Sequence, residues 1–143
     1  MKVGIVGSEA AKFTPESEQR ARAEIRRLIE GATLVISGHS PLGGIDIWAI
    51  EEATWAGIPT REYSPRVHNW EGGYKPRNLE IAQHSDLVAC ITVQQLPLNY
   101  RGMRFPRGCY HCNTPPEHHI KSGGCWTMKQ AALAGKRTEL VIV

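Results

Sequence analysis

Thr33-Leu34-Val35-Ile36-Ser37-Gly38-His39-Ser40-Pro41-Leu42-Gly43-Gly44-Ile45-Asp46 is the stretch that decides the fold. Its first four residues form an apolar strand candidate, its middle is a glycine-rich turn, and Ile45-Asp46 opens a helical pattern that runs to Ala56. A strand that feeds such a turn and then a helix N-terminus builds an anion site. Glycine lets the backbone approach a ligand, and the unpaired N–H groups of the first helical turn point at negative charge. Two other stretches have the same character: Gly4-Ile5-Val6-Gly7-Ser8 after an N-terminal strand, and Lys121-Ser122-Gly123-Gly124-Cys125-Trp126-Thr127 before the last helix.

Working outward, Lys2 to Gly7 reads as a buried strand. Thr14 as N-cap and Pro15 at the first helical position start a helix whose inner face is Ala21, Ile25, Leu28 and Ile29, stopped by Gly31. Ile45, Trp48, Ala49, Ala53 and Ala56 stripe the second helix. Pro59 to Tyr63 reads as a short strand, Arg66 to Gly73 as a loop, Pro76 to His84 as a helix, and Asp86 to Val93 as the clearest strand. Gln94 to Lys121 is irregular and proline-rich, Ser122 to Ala134 is a final helix, and Glu139 to Val143 a final strand. Strands and helices that alternate in this way predict an α/β fold, a parallel sheet with helices on both faces and an insert, 94–121, before the last helix. Ligands of such sheets bind beyond the carboxyl ends of the strands, where the glycine turns are expected. An insert of this length is expected to be functional or separately stabilised.

A chain of 143 residues is expected to form one domain, 1–143, with a real core. Its net charge of +3 suits a phosphate-bearing ligand without demanding nucleic acid. No apolar run approaches the ~18 residues of a membrane span, and the N-terminal apolar stretch is too short for a signal peptide, so a cytoplasmic protein is expected. In that compartment its four cysteines point to metal or buried thiols before disulfides.

Val6-Gly7-Ser8, Ser37-Gly38 with Gly43-Gly44-Ile45-Asp46, Pro76-Arg77-Asn78-Leu79-Glu80-Ile81, and Gly123-Gly124 with Thr127 occur in the order seen in the SLOG superfamily. The chain resembles the YspA-like single-domain branch of that superfamily, which also holds the SMF DNA-processing proteins and the lonely-guy phosphoribohydrolases. The resemblance implies a Rossmann-like fold, a nucleotide or nucleotide-derived ligand, and a homo-oligomer, typically a homodimer. Carried over residue by residue, it implies that Gly7 and Ser8 line the base or ribose side. Gly43 and Gly44 would flank the pocket, with Gly38 among the ligand-binding glycines and Asp46 at its helix start. Arg77 would contact substrate beside Asn78, and Gly123, Gly124 and Thr127 would hold phosphate. The hydrolases carry Pro-Gly-Gly-x-Gly-Thr-x-x-Glu where this chain has Trp126 before Thr127 and Gln130 in place of the catalytic glutamate. An amide cannot serve as a carboxylate base or stabilise an oxocarbenium-like centre by charge. Whether the protein is an enzyme therefore stays open. Glu71, or Glu9 beside the first turn, is the alternative carboxylate, with Arg77 as its catalytic partner.

Each of these residues also has a plainer reading. Arg77 could pair with Glu80, Asp46 could only complement its helix dipole, and Trp70 could cover the core edge rather than stack on a base. The charges of the first helix, Arg20, Arg22, Arg26 and Arg27 among Glu18, Glu24 and Glu30, read as a solvated face. Tyr100 to Arg107 interleaves aromatic and basic residues without an acid, which suits single-stranded nucleic acid, a ligand-site wall or a basic loop of no special role.

Cys109-Tyr110-His111-Cys112, followed by His118-His119 and Cys125, has the spacing of a tetrahedral Cys3His zinc site. The insert has too few apolar residues to order itself by burial, and a structural metal would supply that order. Either His118 or His119 would complete the set, and a closed site through Cys125 would clamp the insert to the third glycine turn. The competing readings are incidental thiols or a reactive Cys125, while Cys90 reads as a small buried hydrophobe. Two functions compete: a small-molecule nucleotide-binding protein, either a sensor or an enzyme on an N-glycosidic or phosphate bond, and a zinc-containing nucleic-acid-binding module. A third reading is an assembly protein with a vestigial pocket.

Overall fold

The computed structural model describes all 143 residues. Its five strands are β1 (Lys2–Gly7), β2 (Leu34–Gly38), β3 (Thr60–Tyr63), β4 (Leu87–Thr92) and β5 (Arg137–Ile142), and its four α-helices are α1 (Pro15–Ile29), α2 (Ile45–Trp55), α3 (Lys75–His84) and α4 (Gly123–Leu133). The strands form one parallel sheet in the order β3-β2-β1-β4-β5. The chain runs outward from β1 to β3, then crosses back to lay β4 on the other side of β1. That reversal is a topological switch point, where such sheets open a crevice. The α/β expectation holds.

The strand pleat sends alternate residues to opposite faces, and the core divides accordingly. Val3 and Ile5 of β1 with Ala89 and Ile91 of β4 pack under α1 and α2, against Ile25, Leu28, Trp48 and Ala53. Val6, Val88 and Cys90 point the other way, into a second core with Ile81 and Ala82 of α3 and Ala131 of α4. Cys109 of the insert joins that second core, so the insert is seated against the α3–α4 face.

Local chemistry explains the element ends. Thr14 caps α1 in a reciprocal capping box with Ser17, with Pro15 just inside the helix. Two departures from the expected elements are informative. Within the expected Arg66–Gly73 loop, Trp70–Tyr74 forms a π-turn that feeds α3 directly; Asn69 caps it through Gly72 N–H at 2.7 Å, and Gly73 allows an approach to the Val67 carbonyl that no Cβ would permit. The charged face of α1 is not simply solvated. Arg22 and Arg26 reach Glu52, a buried residue of α2, at 2.9 and 2.8 Å, and Arg22 also meets Glu51. The spacing on α1 matched a solvated face because the partner carboxylates lie on a different helix.

Between Thr92 and Gly123 there is no helix or strand. The insert leaves β4 and is pinned back beside it: Ile120 N–H donates to Val93 O at 2.8 Å, and the Thr92 hydroxyl donates to Ile120 O at 2.6 Å. This return delivers Lys121–Thr127 to the same sheet edge as the other two glycine turns.

Candidate functional site

The three turns converge on one cavity of about 300 Å3 at the carboxyl edge of β1, beside the switch point. Gly7, Ser8, Gly43, Asp46, Arg77, Asn78, Gly123, Gly124 and Thr127 all line it. The convergence depends on glycines at close approaches. A Cβ on Gly124 would lie 2.8 Å from Gly7 N, and one on Gly44, which sits at φ +88°, would lie 2.4 Å from Ser8 O. Gly38 and Gly44 are therefore supports of the cleft rather than part of its surface. The Gly38 position is pressed against the guanidinium of Arg77, 2.2 Å from where a Cβ would stand.

Arg77 is the central cation. Its side chain is buried, Nε donates to Asn78 Oδ1 at 2.7 Å, Nη1 donates to Tyr63 O at 3.2 Å, and Nη1 lies 3.9 Å from Asp46 Oδ2. Glu80 is not its partner. Burial lowers the guanidinium pKa and Asp46 opposes the shift, but an arginine stays charged at any pH at which the protein folds. Burial also pushes the Asp46 carboxyl up to about 6, against the opposing pull of Arg77. Asp46 thus does more than complement a helix dipole; it faces the cleft as a carboxyl poised near neutrality.

The α4 end supplies the polar floor. Ser122 caps the helix, its hydroxyl accepting from Gly124 N–H at 2.9 Å. The remaining first-turn donors are those that a helix start offers to an anion. The Ser8 hydroxyl lies 2.9 Å from Thr92 Oγ1, whose own proton goes to Ile120 O, so Ser8 is the donor of that pair. Trp70 and Tyr74 form an aromatic side, with Trp70 packed edge-on against Trp126 of α4 at 4.7 Å. Lys12 and Glu9 also line the cleft. Lys12 was not foreseen: it sits in a short 3-10 turn, Ala10–Lys12, that carries no sequence signature, and burial lowers its pKa. Glu71 lies elsewhere, with its side chain exposed and 3.6 Å from Lys75. Gln130 does not line the cleft either.

Behind the α4 turn, Cys109, Cys112, His119 and Cys125 bring one ligand atom each within 4.8 Å of one another. Cys125 Sγ stands 3.8 Å from His119 Nε2, close to the separation of two ligands on one tetrahedral ion. His119, not His118, completes the set; His118 supports it through an Nδ1–Nδ1 contact of 2.7 Å that orients the ring, as an outer-shell partner does. The knuckle is locally shaped for this: Gly108 fits where a Cβ would meet Thr114 O, and Asn113, just past Cys112, takes a left-handed φ of 58°. Burial lowers the His119 pKa and keeps the ring neutral, as a ligand must be. Burial also raises Cys109 and Cys112, and the contact with Cys90 is the chief cause of the upward shift at Cys125. A bound cation would reverse those shifts. The cluster can hold a metal ion. Cys90 is fully buried, as expected of a small hydrophobe, with its sulfur 3.9 Å from Cys125 Sγ.

Fold and cleft together define a Rossmann-like α/β domain with a crevice at its switch point. Among solved structures, the molybdenum cofactor carrier protein of Chlamydomonas reinhardtii has the same fold, with a TM-score of 0.62 at 15% identity over 97% of this chain and 74% of that one. No protein-family model matches the sequence, and no curated protein matches it. No helix is long and apolar enough to cross a membrane.

Proposed function

We propose that the protein binds a nucleotide or nucleotide derivative in this cleft, with a structural zinc ion behind the phosphate end. The observation that carries the reading is the convergence of three glycine turns on one cavity that also holds the buried guanidinium of Arg77. Phosphate would rest on the opening turn of α4 and on Arg77, and the base would lie along Trp70 and Tyr74. The structural neighbour is a molybdenum cofactor carrier protein, which agrees with a cleft used for small-molecule binding. SLOG-type membership is part of the same proposal, supported by the ordered motifs and by the placement of their residues around one cavity.

Zinc is proposed because three cysteines and one histidine, with ligand atoms within 4.8 Å of one another, would supply the four ligands of a closed tetrahedral site, the pattern of a structural zinc. The ion would shape the cleft through Cys125 rather than activate water. Any reaction on an N-glycosidic or phosphate bond would draw on the carboxyls that line the cleft, Glu9 and Asp46.

Native mass spectrometry against a nucleotide panel tests the reading. The expected result is one zinc per chain and a retained nucleotide, with affinity lowered at least about tenfold in Arg77→Gln, equivalent to one lost charge-assisted contact. An Arg77→Gln protein that keeps its melting temperature and binds nucleotide as tightly as the parent would overturn it.

A further inference from the structure

The insert holds a second cavity of about 480 Å3, lined by Arg104, Phe105, Arg107, Glu117 and Lys121 among others. The charge distribution sets this region apart. The insert contains Arg101, Arg104, Arg107 and Lys121 against a single carboxylate, Glu117; that surplus equals the +3 of the whole chain, so the rest of the domain is balanced. Its cations are also unpaired. Arg22, Arg26 and Arg27 each meet carboxylates at 2.6 to 3.0 Å, whereas none of the insert's cations lies within ion-pair distance of one.

Aromatic rings hold two of these four cations instead. Lys121 Nζ sits 4.4 Å from the Phe105 ring centre and 5.1 Å from that of Tyr110, and the Arg104 guanidinium lies 5.6 Å over Tyr100. Phe105 and Tyr110 remain exposed. Exposed rings interleaved with unpaired cations are what a flexible polyanion with stackable bases requires: phosphates meet arginine and lysine, and bases meet the rings.

The second cavity adjoins the first. Lys121 lines one and its neighbour Ser122 lines the other. Lys12 of the first cavity donates to Lys121 O at 3.4 Å, and the Tyr100 hydroxyl donates to Glu9 Oε1 at 3.4 Å. We infer that the insert is a binding site for single-stranded nucleic acid, running from the glycine cleft across Lys121 to Arg104 and Arg107. Seating the terminal nucleotide in the cleft rests on the function proposed above; contacts with the insert do not.

Fluorescence anisotropy with labelled DNA and RNA single strands of one to about eight nucleotides tests this, a range set by typical single-strand site sizes. Affinity should rise at least about tenfold with length and fall steeply with salt, because each added phosphate releases counterions. The pair Arg104→Glu and Arg107→Glu should remove that gain while leaving mononucleotide affinity, zinc content and melting temperature unchanged. The DNA and RNA arms identify which strand is preferred. Affinity that does not grow with length, or growth that survives the charge reversal, would overturn the inference while leaving the nucleotide reading intact. Heparin binding as tightly as the oligonucleotides would show generic cation exchange and would also overturn it. Length-dependent binding without any mononucleotide binding would instead sink the function proposed above and leave this one standing.

Discussion

At the scale of single residues, two adjacent glycines separate the demands of packing from those of the cleft. A Cβ at Gly124 would meet Gly7 N at 2.8 Å and the Cys90 sulfur at 3.0 Å, whereas one at Gly123 would meet nothing within 4 Å. Gly124→Ala should therefore destabilise the fold by about 1–3 kcal/mol, since backbone must move to accommodate it. Gly123→Ala should leave the melting temperature in place and weaken nucleotide binding, because the new methyl stands at the lip of the cleft; calorimetry on both variants separates the two. Asp46 makes a prediction in pH. Its folded pKa, about 6, lies above the 3.8 of an unperturbed carboxyl, so the native state holds its proton more tightly than the unfolded chain does. Stability from this group is thus full below pH 4 and is lost as pH rises through 6. Asp46→Asn should gain on the parent between pH 4 and pH 7.5 by on the order of 3 kcal/mol, read from denaturation midpoints at both pH values. That Asp46, Arg77, Gly7, Gly43, Gly123 and Gly124 gather at one cavity was legible in the sequence because turn chemistry and motif order are local; that Gly38 and Gly44 only support it was not. Lys12 was not, because its place in the cleft comes from the packing of a short turn that no spacing rule describes.

The insert raises the question of what holds an element together without regular hydrogen bonding. Its buried members are few, and Cys109 and His119 are both metal-ligand candidates. Chelation should therefore unravel it: amide exchange across the insert should accelerate, and the melting temperature should drop by roughly 10 °C or more if the ion contributes ~3 kcal/mol to a domain of this size. Cys112→Ser should reproduce the loss, whereas Cys90→Ser should retain the metal, since Cys90 stands outside the cluster. Cobalt substitution gives an independent reading, because thiolate-to-metal absorption reports coordination directly. The Cys-x-x-Cys spacing made the site legible, as two ligands on one short turn leave few alternatives. The choice of His119 over His118 was not, because adjacent residues in an irregular segment differ only in how the backbone turns them. The α1–α2 ion pairs escaped for a related reason: helical periodicity shows which charges share a face, and only the packed pair shows what that face meets.

Over the whole molecule, alternating strands and helices predict a parallel sheet, and Cys125 in the third glycine turn predicts that the cleft and the metal cluster share an element, as they do at α4. That sharing follows from the seat of α4 against β4 and β1, with Cys109 of the insert packed in the same core as Cys125. Cys125 is the third residue of α4; its sulfur belongs to the cluster, while Gly123 and Gly124 just before it line the cleft. Two ligands that act on one helical turn cannot bind independently unless that turn is equally ordered in every state. Metal-free protein should accordingly bind nucleotide more weakly, by a factor within the roughly 5- to 150-fold range of such couplings. By reciprocity, saturating nucleotide should tighten metal binding by the same factor. Titration of nucleotide into loaded and stripped protein measures the first, and competition with a chromophoric chelator, with and without nucleotide, measures the second. Gly123→Ala should weaken the nucleotide without erasing the coupling, since it leaves the Cys125 contacts intact. A factor of one in both experiments would mean that the ion orders the insert alone, and that the helix start of α4 is already rigid before either partner arrives.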